Sequence, residues 1–169
     1  MKTRRLVLIS LFTALLAVIA PLSIQIGQVP ISLATLMVML TSFVLGKKDS
    51  VIVVLIYILL AAIGIPVLAS YKSGVSALLG MTGGNIFGYI PLSYLSSFFG
   101  VDTWQKKVLG MLVGTFVLYL IGTIWFIIFT KMALWPALLA CVIPFLPGDG
   151  IKILIVTLFE ERIRKLANK

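Results

Sequence analysis

Long apolar runs separated by short polar segments organise this 169-residue chain. A helix that crosses the hydrocarbon core of a bilayer needs roughly 20 apolar residues, and shorter helices suffice where one end is covered by other protein. Six segments fit this description: residues 6–25, 31–45, 51–67, 85–99, 108–129 and 135–159. The pattern therefore predicts an all-α integral membrane protein, a bundle of six transmembrane helices forming one domain over residues 1–169.

The basic residues between these runs predict how the bundle is oriented, because positive side chains tend to stay in cytoplasmic loops. With the N-terminus inside, eleven cations fall on the cytoplasmic side: Lys2, Arg4, Arg5, Lys47, Lys48, Lys106, Lys107, Arg162, Arg164, Lys165 and Lys169. Lys72 and Lys131 fall on the outside, and Lys152 lies within the sixth segment. Both termini are therefore predicted to be cytoplasmic.

Composition excludes several classes of protein. With 61% hydrophobic and 11% charged residues, a soluble domain of this size would leave much of its apolar surface exposed. The net charge of +9 is therefore assigned to membrane topology rather than to nucleic-acid binding. The chain lacks histidine and has no GxxxxGK[ST], HExxH or GxSxG motif, which argues against an enzyme and against ATP hydrolysis. The single Cys141 can form no internal disulfide.

Two ionisable residues, Asp149 and Lys152, lie inside an apolar segment, where each costs roughly 2.5–3.5 kcal/mol on insertion scales. Their i, i+3 spacing places them on one face of a helix. Helix-breaking residues surround the acid: Pro144, Pro147, Gly148 and Gly150. The pair is either a structural ion pair in the bundle interior or part of a polar ligand site beside a broken helix.

A second unusual stretch is GMTGGNIFGY, residues 80–89, which leads into the fourth segment. Thr82 or Asn85 could cap that helix, and Gly83 and Gly84 would allow close backbone approach. The Asn85 amide offers donors and an acceptor, which suits a neutral amide or ureide ligand. The preceding connection, residues 68–84, is long and rich in Gly and Ser, so we predict that it forms an extracellular lid.

Several other residues carry two interpretations each. Gln25, Gln28 and Thr35 either face the same cavity or lie at the membrane interface. Three aromatic rings either line the site of an apolar ligand or face lipid or the protein core: those of Tyr57, Tyr89 and Trp125. Small residues spaced by four, which let helices approach closely, occur as Ser10 with Ala14, Thr13 with Ala17, and Gly110 with Gly114. For the two glycines we predict packing within the bundle.

Four motifs together resemble the BioY family, the biotin-specific substrate-binding (S) components of energy-coupling factor (ECF) transporters. They are VPISLATL at 29–36, YILLAAIGIPV at 57–67, GMTGGNIFGY at 80–89 and PFLPGDGIK at 144–152. The resemblance covers nearly the whole chain. One departure is Ala34, where the family's VPITLQTL pattern carries glutamine.

The resemblance implies a prokaryotic plasma-membrane protein that binds biotin as its ligand, with no cofactor. It also implies partners, an ECF transmembrane subunit and two ATPases, which would dock on Ser10, Thr13, Ala14 and Ala17. The proposed transport cycle of the family has the S component topple in the membrane. On this basis the substrate-binding residues are predicted to be Asp149, Lys152, Asn85, Tyr89, Gly83, Gly84 and Tyr57.

The roles of the polar residues follow from the chemistry of biotin, which has a ureido ring, an apolar body and a carboxylate. Asp149 would accept a hydrogen bond from a ureido N–H, and Asn85 would complete recognition of the ring. Lys152 either holds Asp149 ionised and oriented or pairs with an anionic part of the ligand.

Three alternatives stay open at the level of sequence. The first is an S component for another vitamin, such as thiamine or riboflavin, although Lys152 disfavours a cationic ligand. The second is an intramembrane enzyme that uses Asp149 with Lys152. The third is a small channel or a structural membrane subunit.

Overall fold

The protein is mostly helical, as predicted. The computed structural model describes residues 2–26 and 29–167, and within them lie eight α-helices and one β-hairpin. In chain order these are α1 (Lys2–Ile19), β1 (Ser23–Ile26), β2 (Val29–Ser32), α2 (Ala34–Leu45), α3 (Lys47–Ala62), a 3₁₀ turn (Ala69–Tyr71), α4 (Val75–Leu78), α5 (Gly83–Ser96), α6 (Trp104–Thr130), α7 (Leu134–Cys141) and α8 (Leu146–Ala167).

The β-hairpin lies where the sequence pattern predicted the junction of two helical spans. Its strands β1 and β2 are antiparallel, with Ser23 opposite Ser32 and Ile26 opposite Val29. Helix α1 ends at Ile19, so the predicted helix over residues 6–25 was wrong beyond that point, and so was an exclusively helical fold. Pro21 explains the boundary, because proline disfavours helix at the preceding residue and cannot continue the hydrogen-bond ladder.

Helix α5 occupies the centre of the bundle, where it packs along α6 and also contacts α2 and α3. Glycines make the α5–α6 contact possible. A Cβ atom on Gly110 of α6 would lie 2.3 Å from the Ser96 carbonyl oxygen, and one on Gly114 would lie 3.0 Å from Leu92 Cδ1. The predicted packing role of this glycine pair within the bundle is therefore confirmed.

A break interrupts the last apolar segment, as the proline and glycine residues predicted. Helices α7 and α8 meet at an angle of 40° across residues 142–145, so Asp149 lies in the first turn of α8. Among the residues that the structure describes, α6 alone is long and apolar enough to cross a membrane as a single straight helix. The bent pair α7–α8 is a second candidate, and α2 is apolar but shorter.

Buried polar contacts join the helices at the end of the bundle away from Asp149. Lys107 at the start of α6 forms a buried ion pair with Glu160 of α8. A layer of hydroxyl groups joins α2, α3 and α5. Ser42 Oγ donates to the Ser93 carbonyl at 2.6 Å and can accept from the Ser97 hydroxyl, whose Oγ lies 2.7 Å away, and Ser50 Oγ donates to the same Ser93 carbonyl at 3.1 Å.

Candidate functional site

Asp149 and Lys152 form an ion pair in the first two turns of α8, buried inside the bundle. The Asp149 Oδ1 atom lies 2.8 Å from Lys152 Nζ, and the two residues are only 3% and 6% exposed. The prediction that they share one helix face is confirmed. Such a pair is costly to bury unless its remaining donors and acceptors are also satisfied.

The ammonium group of Lys152 has partners for all of its donors. Besides Asp149, it donates to the Ser32 carbonyl oxygen at 2.8 Å and to Thr35 Oγ1 at 2.8 Å. An ammonium group has three N–H donors, and three acceptors surround this one. The end of β2 and the start of α2 thus hold Lys152 in place, and no donor is left over for a ligand.

The carboxylate of Asp149 is held from two sides but keeps one acceptor position. Oδ1 accepts from Lys152 and, at 3.2 Å, from the Thr35 hydroxyl, while Oδ2 accepts from the Tyr119 hydroxyl at 2.6 Å. Each carboxylate oxygen has two lone pairs, so Oδ2 can accept one further hydrogen bond. The cluster is neutral overall and presents an acceptor.

Tyr119 on α6 is the residue that sequence reasoning missed. It lies 30 positions from Asp149 in the chain, inside an apolar run with nothing to mark it. The only sequence signal is that a tyrosine hydroxyl inside a membrane segment needs a hydrogen-bond partner. That signal does not identify the partner.

A cavity of about 60 Å³ opens beside this cluster. Its walls come from β2, the 68–72 loop, Phe145 in the 142–145 break and the seven helices α2 to α8, and they include Tyr57, Asn85, Tyr89, Tyr119, Asp149 and Lys152. The predicted residues Asp149, Lys152, Asn85, Tyr89 and Tyr57 are thus brought together. Within the described part of the chain, no group of three or more His, Cys, Asp or Glu residues could hold a metal ion.

Asn85 lies on the cavity wall with its side-chain amide available. Its amide oxygen packs over Gly122 of α6, where a Cβ atom would lie only 1.9 Å away. Among the described residues, no hydrogen bond occupies this amide. It can therefore both donate to and accept from a ligand in the cavity.

The two tyrosines on the wall contribute mostly apolar ring surface. Tyr57 is 1% exposed, and its hydroxyl donates to the Val67 carbonyl at 3.0 Å. Tyr89 is 8% exposed, and its hydroxyl group lies close to Ser32 and Asp149. Trp125, the third aromatic residue considered from the sequence, does not line the cavity.

Gly83 and Gly84 pack α5 against its neighbours and do not line the cavity. A Cβ atom on Gly83 would lie 2.1 Å from the Leu78 carbonyl oxygen, and one on Gly84 would lie 2.3 Å from Trp125 Cβ. Trp125 Nε1 in turn donates to the Gly80 carbonyl at 2.9 Å. Thr82 precedes α5 without a side-chain capping hydrogen bond, so the predicted cap by Thr82 is wrong.

The polar residues near the hairpin, which the sequence left with two interpretations, differ in their positions in the structure. Thr35 joins the ion-pair cluster, whereas Ala34, where the family pattern has glutamine, is buried at the start of α2. Gln28 and the side chain of Gln25 lie outside the described part of the chain.

The 68–72 loop lines both the cavity and a larger outer recess. Leu68, Ala69 and Lys72 face the cavity, while Ser70 and Tyr71 line a recess of about 670 Å³ beneath the hairpin. Ser70 Oγ lies 3.1 Å from Ser23 Oγ, and Ser70 N donates to the same Ser23 oxygen at 3.0 Å. These contacts fasten the loop to β1.

The four candidate docking residues on α1 divide between two faces. Ser10 and Ala14 are exposed beside apolar residues such as Leu11 and Val18. Thr13 points into the bundle, where its hydroxyl donates to the Ile9 carbonyl at 2.8 Å, and Ala17 is half-buried.

Comparison with known proteins places this architecture. The model of the BioY family matches residues 1–169. The chain is 35% identical to "Probable biotin transporter BioY" of Pyrococcus horikoshii, covering 97% of this chain and 98% of that protein. It is 33% identical to "Biotin transporter BioY" of Thermotoga maritima, covering 96% and 97%.

A solved structure, described as the S-component for biotin from an ECF-type ABC transporter, superposes with a TM-score of 0.89. The two chains are 28% identical, and the match covers 97% of this chain and 92% of that one. The family match spans every residue and two relatives exceed 30% identity over nearly their full lengths. The chain belongs to the BioY family.

Proposed function

We propose that this protein captures biotin from outside a prokaryotic cell and delivers it across the membrane as the S component of an ECF transporter. The observation that supports this most strongly is a neutral, buried Asp149–Lys152 pair with one acceptor position directed at a cavity. This arrangement suits a ligand that offers an N–H group. Family membership narrows the ligand to the one named for its relatives.

The contacts assign a role to each polar group. A ureido N–H of biotin donates to Asp149 Oδ2, and the open amide of Asn85 meets the rest of the ureido group. Lys152, whose donors are all engaged, holds the side chain of Asp149 in its orientation. Of the two roles that the sequence left for Lys152, the hydrogen-bond geometry supports this one. Tyr57 and Tyr89 provide ring surface for the apolar body, and Gly83 and Gly84 act indirectly by setting the position of α5.

The 68–72 loop is the mobile part of the lid in this proposal. A cavity of about 60 Å³ is below the roughly 300–1,000 Å³ of sites for small organic ligands. The loop contributes residues to the walls of both the cavity and the outer recess, and Ser32 and Lys152 line both as well, so moving the loop would widen the connection between them. Its attachment to the hairpin by Ser23 and Ser70 would then be released during ligand entry.

In the membrane, we propose that α1, α2, α3, α5, α6 and the bent pair α7–α8 are the six spans of a single domain. The cation distribution places both termini on the cytoplasmic side and the 68–84 connection outside.

We further propose that Ser10 and Ala14 form the surface on which an ECF transmembrane subunit docks, with two ATPases completing the complex. Small exposed residues spaced by four allow a partner helix to approach closely. Ala14→Leu is expected to weaken recovery of this protein with a co-expressed ECF module about tenfold, since overpacking a close helix contact costs about 1–3 kcal/mol.

The matched control for docking is Ala133→Leu, which enlarges another exposed alanine, just before α7. Quantitative co-purification should leave this control unchanged, and biotin binding should be normal in both variants. Equal recovery of Ala14→Leu and the unaltered protein would remove this face from the docking proposal.

The proposed ligand is tested by the thermal stability of the detergent-purified chain with biotin, thiamine or riboflavin. Because a ligand stabilises the folded state by RT ln(1 + [L]/Kd), biotin at about 1,000 times its Kd should add about 4 kcal/mol. A shift with biotin alone is expected. A shift with another vitamin alone would support the alternative S component, and no shift with biotin would contradict the proposal.

A further inference from the structure

The neutral Asp149–Lys152 cluster raises the question of which group meets the negative charge of a biotin-like ligand. This step rests on the function proposed above. Lys152 cannot serve without giving up a partner, because Ser32, Thr35 and Asp149 occupy its three donors at 2.8 Å each. A carboxylate placed here would also approach the Asp149 carboxylate, and like charges in a buried site repel. The part of the cavity beside Asp149 therefore suits the ligand's neutral N–H groups and not its anion.

One other charged side chain lines the cavity, that of Lys72. It follows the 3₁₀ turn directly, on the loop that forms the outer wall. Its carbonyl oxygen accepts a hydrogen bond of 3.1 Å from the Leu68 amide, which closes the base of the loop and fixes the position of the Lys72 backbone. The side chain is exposed, and no ion pair engages its ammonium group among the described residues.

The cavity lining thus offers two chemically different groups. The Asp149–Lys152 cluster has zero net charge and offers the acceptor Asp149 Oδ2, whereas Lys72 on the 68–72 loop offers an unpaired cation. The rest of the lining is largely apolar and includes Val29, Leu68 and Leu118. A ligand that fits this lining has an N–H-bearing ring, an apolar body and an anionic tail, and it binds with the ring at Asp149.

We propose that Lys72 is a specificity-determining residue that selects ligands with a free carboxylate on the tail. When the ring lies at Asp149, the ammonium group of Lys72 pairs with the carboxylate at the loop. Ligands whose tail ends in a neutral amide make every ring contact but lose this pair. The protein therefore distinguishes the free acid from its amide derivatives.

The test compares biotin with biotinamide, whose tail is uncharged, by isothermal titration calorimetry on the detergent-purified full chain. The unaltered protein should bind biotin up to about fivefold more tightly, in the range for a solvent-exposed ion pair. Lys72→Met keeps the apolar stem and removes the charge. It should weaken biotin binding by the same factor and leave biotinamide binding unchanged, so that the preference disappears.

Lys131→Met is the matched control, because Lys131 is also exposed and predicted to lie outside but does not line the cavity. It should retain the full preference. The proposal is overturned if the unaltered protein shows no preference, if Lys72→Met retains the preference, or if it weakens both ligands equally. If the unaltered protein binds neither ligand, the proposed function fails first, which is a distinct result.

Discussion

Asp149→Asn is expected to abolish high-affinity biotin binding, with a loss of at least about 100-fold, and to destabilise the protein by about 3–5 kcal/mol. The loss of stability follows because the variant leaves the Lys152 ammonium group buried without its counter-charge. The loss of binding follows from the direction of the new amide. Its oxygen is needed by Lys152, so its NH₂ group takes the place of Oδ2 and presents a donor to the ligand's N–H.

The two effects are separated by a second variant, Asp149→Asn with Lys152→Met. Removing both charges of a buried pair is often neutral for stability, so the double variant should recover most of the lost stability. It should still lack high-affinity biotin binding, because a neutral amide oxygen is a weaker acceptor than the Asp149 carboxylate. Thermal unfolding and calorimetry measure the two quantities. Full biotin affinity in either variant would remove Asp149 from the site, whereas recovered stability without binding would identify it as a ligand contact.

Gly84→Ala is expected to destabilise the protein strongly, because it adds a methyl group inside the tight contact between α5 and α6. The added Cβ atom would lie 2.3 Å from Trp125 Cβ and 3.0 Å from the Ile121 carbonyl oxygen, neither of which moves unless α6 moves. Overpacking of this kind costs about 1–3 kcal/mol. At the upper end, the melting temperature of a chain of this length falls by about 6–12 °C. Biotin affinity should fall as well, because the adjacent Asn85 moves with α5.

Gly150→Ala provides the control for this prediction. Gly150 is also helical, is exposed on α8, and has no atom within 4 Å of an added Cβ. Alanine should therefore leave the melting temperature unchanged or raise it, because glycine inside a helix is less favourable by about 0.5–1 kcal/mol. If both variants unfold at the same temperature as the unaltered protein, the α5–α6 contact is not tight at Gly84.

The sequence predicted the parts of this molecule that depend on local pattern. The helical runs, the break before Asp149 and the shared face of Asp149 and Lys152 each follow from spacing within a few residues. The hairpin was not predicted, because its strands have only four residues each, lie close to apolar helical runs, and include Pro30 in β2. The alternation of polar and apolar residues in Ser23–Ile26 is the signal that would have indicated a strand.

The partners of the ion pair could not be read from the sequence, because they come from distant segments. Thr35 and Tyr119 lie 114 and 30 positions from Asp149, and a hydroxyl in an apolar helix carries no mark of what it contacts. The same limit applies to Gly83 and Gly84. Close approach was predicted correctly for them, but the neighbouring surface is Leu78 of α4 for Gly83 and Trp125 of α6 for Gly84, and not the cavity.

The buried polar contacts at the far end of the bundle limit the path by which a bound molecule can leave. At 1.5 Å per residue, Lys107 lies about 18 Å along α6 from Tyr119, and Glu160 about 16 Å along α8 from Asp149. Between these levels, the serine layer ties α2, α3 and α5 together. Among the described residues, a buried ion pair and this layer thus join the helices at the end of the bundle away from the cavity. If these contacts stay intact during transport, a bound molecule leaves by the end at which it entered, so inward delivery requires that end to face the other side of the membrane.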